Sequence, residues 1–208
     1  MGIVFGMTGT AEPSYVVLRS AVAASGFEVR RYQSMVIAEI VNSDDSGFSI
    51  LARYIGVFGT PENDGRVPMA MTAPVILRPL KMAMTSPVIQ SGQDQLMSFV
   101  LPFDIKNVAS APKPSNKRIT LREIPSRLLA VRSFSGWYSH DVGKAQFKVL
   151  QKDLLDKKLI RQPSGEEEEE ASWSTAQYHP PFTLPFLRRN EIWVELTKEA
   201  CSSAGWSE

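Results

Sequence analysis

The chain has 208 residues, 43% of them hydrophobic and 22% charged, with 23 Lys and Arg against 22 Asp and Glu. A domain of this length buries about 70% of its unfolded surface, so it needs no disulfide or metal staple, and a formal net charge of +1 argues against a nucleic-acid coat or a strongly basic membrane binder. A single cysteine, Cys201, excludes an internal disulfide and points to a reducing, cytoplasmic compartment, and no stretch approaches the roughly 20 apolar residues of a membrane span.

The opening Met-Gly-Ile-Val-Phe-Gly resembles a myristoylation site at Gly2, but Gly6 stands where Ser or Thr is required, so the motif fails. No Lys or Arg precedes Arg19, which fits neither a signal peptide nor a transit peptide. Residues 27–32 (FEVRRY) alternate in polarity and residues 35–41 are β-branched and apolar, so two strands flank a turn at Gln33-Ser34. Phe48, Leu51, Ala52 and Ile55 then fall at i, i+3, i+4 and i+7, one stripe of a helix. Asp44, Asp45 or Ser46 can cap its start, and Gly56 and Gly59 can end it.

Met-Ala-Met-Thr-Ala-Pro-Val at 69–75 recurs as Met-Ala-Met-Thr-Ser-Pro-Val at 82–88. Proline interrupts a ladder, so each copy belongs at a strand end, an edge or a bulge. The pair reads either as a repeated edge segment or as a soft, sulfur-rich apolar wall. Residues 96–103, 118–124 and 128–134 are strand-like, with a Pro/Ser-rich connection between two halves at 109–116. A second helix is predicted over 141–159, with Phe147, Leu150 and Leu154 on its buried side and Lys157 and Lys158 near its end. Ser-His-Asp at its start reads as a cap, which gives His140 a structural role. Residues 166–170 are all Glu; they repel, so 162–174 is a solvated acidic loop. Residues 190–197 form a strand, and the alternation from Glu191 to Leu196 puts one face in the core and the other in water. The tail at 198–208 is expected to fray.

Residues 27–38 and 119–130 echo each other 92 positions apart, with Arg30/Arg122, Ser34/Ser126 and Ala38/Ala130 identical. Each run gives strand, turn, strand and helix. The chain therefore reads as one duplicated domain, 1–208, with a core over about 15–197.

Catalytic layouts are missing: the sequence has no phosphate loop, dinucleotide-binding glycine motif, nucleophile elbow or His-Glu-x-x-His pattern. Two histidines and one cysteine do not make a His/Cys zinc site. His179, in Tyr-His-Pro-Pro, is either an exposed loop residue or a ligand to the metal centre of a bound cofactor. Composition and spacing thus give an α+β binding module with an apolar, Met- and aromatic-rich surface, and do not name its ligand.

Residues 52–59 (ARYIGVFG), the Met-Thr-(Ala/Ser)-Pro-Val pair and 178–193 (YHPPFTLPFLRRNEIW) together strongly resemble the SOUL/haem-binding protein family over about 15–196, most like its cytosolic plant and algal branch. The resemblance implies an α+β fold: a distorted antiparallel β-barrel of about eight strands with two helices and pseudo-two-fold duplication, similar in class to GyrI-like effector domains. It implies haem or another tetrapyrrole as the bound ligand, in a shallow apolar cleft beside the first helix. Phe48, Leu51, Ala52 and Ile55 would line that cleft, Arg53 would meet a propionate, and Phe182 and Thr183 would come from the loop after Pro-Pro. Some members have a second basic residue where this chain has Thr183, for which Arg188 or Arg189 could substitute. Some have an iron-ligating His where this chain has Arg31, leaving His179 as the candidate metal ligand. The implied role is a carrier or buffer, not an enzyme, with a tetrapyrrole as its small-molecule partner, no nucleic acid and no membrane span. Two other readings compete: an enzyme that removes the metal from a tetrapyrrole, and a protein-interaction module with a non-porphyrin ligand.

Overall fold

The computed structural model describes residues 10–20, 26–42, 46–79, 95–163, 165, 172–180 and 182–206. The Gly2 motif, the second Met-Thr-Ser-Pro copy and the glutamates at 166–170 lie outside them. In chain order the elements are β1 (Tyr15–Ser20), β2 (Phe27–Tyr32), β3 (Met35–Asn42), α1 (Gly47–Ile55), β4 (Val75–Pro79), β5 (Gln95–Val100), β6 (Thr120–Ile124), β7 (Arg127–Phe134), α2 (His140–Asp156), β8 (Trp173–Gln177), β9 (Asn190–Leu196) and α3 (Lys198–Ser203). They sort into two compact units, one of residues 10–13 and 34–125 containing α1, the other of residues 14–33 and 126–206 containing α2.

In the α1 unit, β3 lies between β5 and β6, and β4 pairs with β5, all antiparallel. Strand alternation turns Val36, Ala38 and Ile40 to one side of this sheet, where they form a core with Leu51, Ala52, Tyr54, Ile55 and Phe99. The helical stripe is therefore the cover of the sheet. Helix α1 stops at Gly56, at φ 91°, whose N–H donates to the carbonyls of Ala52 and Arg53. A Cβ at Gly56 would sit 2.6 Å from Pro61 Cγ. The Tyr54 hydroxyl donates to the Pro112 carbonyl at 2.8 Å. Pro74 stands immediately before β4, so the first Met-Thr-Ala-Pro copy marks a strand end as its proline requires.

The α2 unit repeats the plan. Strand β7 lies between β2 and β9, β8 pairs with β9, and β1 adds outside β2. Phe147, Leu150 and Leu154 of α2 join Phe27, Val29, Ala130, Ile192, Val194 and Leu196 in its core. Ser139 caps α2, its hydroxyl accepting from the Val142 N–H at 3.3 Å, as the Ser-His-Asp reading expects.

The 92-residue echo is true in register. Ala38 opposes Leu121 and Ile37 opposes Arg122 in the α1 unit; Ala130 opposes Val29 and Leu129 opposes Arg30 in the α2 unit. In both units the first strand of one copy pairs with the second strand of the other. The α+β fold of antiparallel strands, two principal helices and internal duplication is the one expected, with nine strands among the described residues where about eight were anticipated.

Two expectations are corrected. Strand β9 does not have one wet face: Glu191 and Trp193 are as buried as Ile192 and Val194, and only Glu195 is exposed. Through Trp206 the tail is ordered by apolar anchors. Cys201 on α3 is buried in the α2-unit core, and the Trp206 ring stacks on Phe27 at 5.7 Å between centroids. No described helix is long and apolar enough to cross a membrane.

Candidate functional site

Within the α1 unit the structure divides the residues proposed for the cleft. Leu51, Ala52 and Ile55 are 0%, 0% and 3% exposed, consumed by the core because β3 and β5 need an apolar cover. Phe48 is different. It is 36% exposed, and its ring meets Phe99 edge-on at 5.3 Å. Arg53 is exposed on the same helix. Directly after the helix, Val57 and Phe58 are exposed, Phe58 by 59%. Phe48, Arg53, Val57 and Phe58 are thus the exposed apolar and basic side chains on and directly after α1. The last two follow from the left-handed turn at Gly56, whose place in Gly-Val-Phe-Gly was their only sign in the sequence. Met69 and Met71 are half-buried against the same core, and the Met69 N–H donates to the Ile55 carbonyl at 3.0 Å.

In the α2 unit the β8–β9 loop carries a second exposed aromatic set. Phe182 and Phe186 are 65% and 72% exposed, and Trp137, on the loop entering α2, is 61% exposed. The loops are tied together: the Gly136 N–H donates to the Pro185 carbonyl at 2.8 Å, and Asn190 Nδ2 to the Gly136 carbonyl at 3.1 Å. The Arg188 guanidinium lies over the Trp137 ring at 3.7 Å, and its Nε donates to the Thr183 carbonyl at 2.9 Å. Thr183 itself is buried, so it orients Arg188 and presents no surface of its own. Periodicity offered no route to Trp137, which stands in a loop.

His179 Nδ1 accepts the Arg189 N–H at 3.0 Å. Arg189 in turn stacks on Tyr178 at 3.6 Å. Among the described residues no group of three or more His, Cys, Asp or Glu could hold a metal ion.

The most elaborate polar cluster of the α2 unit was not anticipated. Glu191 accepts from Tyr178 Oη at 2.7 Å, Trp193 Nε1 at 2.8 Å, Arg30 Nη1 at 3.0 Å and Ser133 Oγ at 3.3 Å. Arg30 also donates from Nε to Glu28 at 2.7 Å and from Nη1 to Tyr32 Oη at 3.2 Å. Burial, and then the charge of Glu191, push the Tyr178 hydroxyl far above the usual phenol range and raise Tyr32 to about 12. Burial alone would lower Arg30, but Glu191 and the hydrogen bonds to Tyr32 and Glu28 more than reverse it. Both tyrosines therefore stay neutral and Arg30 stays charged near pH 7. The cluster is a closed structural clamp with no proton to exchange there.

A family model described as SOUL heme-binding protein matches residues 10–195. The chain belongs to the SOUL haem-binding protein family. Haem or another tetrapyrrole is accordingly its ligand class. No curated protein matches the chain. Among solved structures, the C-terminal domain of EcmrR is similar with a TM-score of 0.53 at 14% identity, over 83% of this chain and 97% of that one. An uncharacterized conserved protein from Listeria innocua gives 0.52 at 10% identity, over 82% and 92%. A hydrolase from the same organism gives 0.51 at 10% identity, over 82% and 91%. At these identities the likeness concerns the fold alone.

Proposed function

We propose that this SOUL-family chain carries or buffers a tetrapyrrole, held by apolar contact and carboxylate pairing with no protein ligand to iron. The observation that carries this reading is the surface left beside α1 once its stripe has entered the core: Phe48, Val57 and Phe58 exposed, with the exposed guanidinium of Arg53 on the same helix. A macrocycle supplies a flat apolar face and carboxylates at its rim. Aromatic and aliphatic side chains suit the first and a guanidinium the second. In this reading Phe48, Val57 and Phe58 hold the ring and Arg53 meets a propionate. The set in the α2 unit, Phe182 with Arg188 on Trp137, has the same chemistry.

Titration of the protein with haemin and with metal-free protoporphyrin, followed by absorbance and Trp fluorescence, tests the reading. Both ligands should bind, within about tenfold of each other, since iron adds no protein bond. Arg53→Glu should weaken both by roughly tenfold, by turning a charge-assisted pair into a repulsion. Phe182→Ala and Arg188→Gln show whether the second set takes part. A strong preference for haemin that is lost in His179→Ala would replace the reading with iron ligation. Turnover of a metallated ring to a metal-free one would replace it with an enzyme. Failure to take up either ligand would end it.

A further inference from the structure

The repeat places Arg122 where the other copy has Arg30, and the two have different surroundings. Arg30 is closed: Glu28, Tyr32 and Glu191 take its Nε and Nη1, and its side chain is 8% exposed. Arg122 reaches only Glu39 among the described residues, from Nη1 to Oε1 at 3.3 Å, and its side chain is 44% exposed. Glu39 is shared. Arg78 comes to it from β4, Nη2 to Oε2 at 2.5 Å, with its side chain 34% exposed. Ser98 of β5 donates to Oε2 at 3.3 Å. Two arginines, from the first and last strands of the order β6-β3-β5-β4, thus converge on one carboxylate whose side chain is only 7% exposed. Each guanidinium has five N–H groups and spends a fraction of them on Glu39. One positive charge of the trio is left over.

The trio lies on the side of the sheet opposite α1. Residues alternate along β3, and Val36, Ala38 and Ile40 face the helix, so Ile37, Glu39 and Val41 face away. Ser98 is the partner of Glu39 and Ile76 the partner of Ser98, so both share that side. Ile37 and Ile76 are buried there, whereas Val41 is 38% exposed and its partner Leu96, which also pairs with Arg78, is half-buried.

We propose that Arg78 and Arg122 form an anion site for a small organic carboxylate with an apolar body. Glu39 holds both guanidiniums in place without neutralising them. A carboxylate takes two parallel N–H bonds from a guanidinium, and the exposed Val41 with the half-buried Leu96 on the same side suits a hydrocarbon or aromatic body. The site is independent of the tetrapyrrole surface beside α1.

Benzoate is the probe, titrated into the intact protein without tetrapyrrole and followed by calorimetry and ligand-observed NMR, with inorganic phosphate as a parallel arm. Benzoate should bind saturably at one site. Arg78→Gln and Arg122→Gln should each weaken it by roughly tenfold, one charge-assisted contact each. Glu39→Gln keeps a hydrogen-bond acceptor for the arginines and removes the competing charge, so it should strengthen benzoate severalfold. Arg127→Gln, in the other unit, should change nothing. Circular dichroism and a thermal melt establish that each variant is folded. Benzoate binding that is absent, or that survives in both folded arginine variants, overturns the site. Weaker binding in folded Glu39→Gln overturns the charge argument, and phosphate binding tighter than benzoate overturns the organic-carboxylate assignment.

Discussion

Glu191→Ala is the severest test of the buried clamp. The substitution removes the one acceptor shared by Arg30, Tyr178, Trp193 and Ser133, all donating within 3.3 Å. Removing one partner of a buried ion pair costs about 3–5 kcal/mol, because the other charge stays buried. Glu28 at 2.7 Å still pairs with Arg30, though it is 36% exposed against 1% for Glu191, and that retained partner holds the loss near the lower end, about 3 kcal/mol. For a chain of this size that is a fall in Tm of roughly 6–12 °C. The control lies on the same strand: Glu195, 65% exposed, pairs with Arg127 at 3.4 Å, and Glu195→Ala should cost under about 1 kcal/mol. Urea denaturation followed by far-UV circular dichroism should show a lower midpoint at unchanged slope for Glu191→Ala. The double variant Arg30→Met/Glu191→Leu should recover the part of the loss that comes from Arg30's stranded charge, while Tyr178 and Trp193 still lack their acceptor. Equal losses for Glu191→Ala and Glu195→Ala, or a double variant as poor as Glu191→Ala, would refute the argument that desolvated charge sets the cost.

Gly56→Ala should cost about 2 kcal/mol in a thermal melt, because the position has φ 91° and the new Cβ would meet Pro61 Cγ at 2.6 Å; Pro61→Ala should return part of it. Burial raises the Tyr54 hydroxyl to about 12 from its ordinary 10, so the native state holds its proton where the unfolded chain releases it. That stability is fully present below pH 10 and is lost as pH rises toward 12, and Tyr54→Phe should flatten the loss in alkaline denaturation while costing about 1 kcal/mol at neutral pH with the hydrogen bond to Pro112. Cys201 is 2% exposed, and burial pushes its thiol up, so iodoacetamide should label it slowly in the native protein and completely in denaturant. Fast native labelling would show that α3 is not docked.

What could be read from the sequence depended on whether a residue's neighbours were local. The stripes of α1 and α2 have the 3.6-residue period, and the repeat kept its polarity, so helices and duplication were both visible. Strands β1, β4 and β8 were not. Tyr15, Val16 and Val17 of β1 are all exposed, so its alternation carries no message. Strand β4 follows a proline motif, and β8 (WSTAQ) is short and half polar. Glu191 was misread for a sharper reason. Its alternation with Ile192 and Val194 is real, but Arg30 arrives from 161 positions away and Ser133 from 58, and no local pattern announces that convergence.

The surface beside α1 shows where pattern reading has to stop. A residue at i, i+3, i+4 or i+7 suits a sheet and a planar ligand equally, because both ask for apolar area. The sheet has first claim: Val36, Ala38 and Ile40 must be covered for the unit to fold, so Leu51, Ala52 and Ile55 are taken by the core. In the proposed reading a ligand uses the apolar area in excess of that need. It appears at Phe48, at the margin of the stripe, and at Val57 and Phe58, beyond the glycine that ends the helix. Helix residues that satisfy the stripe best are therefore the weakest candidates for ligand contact, and those that strain it or overrun it are the strongest.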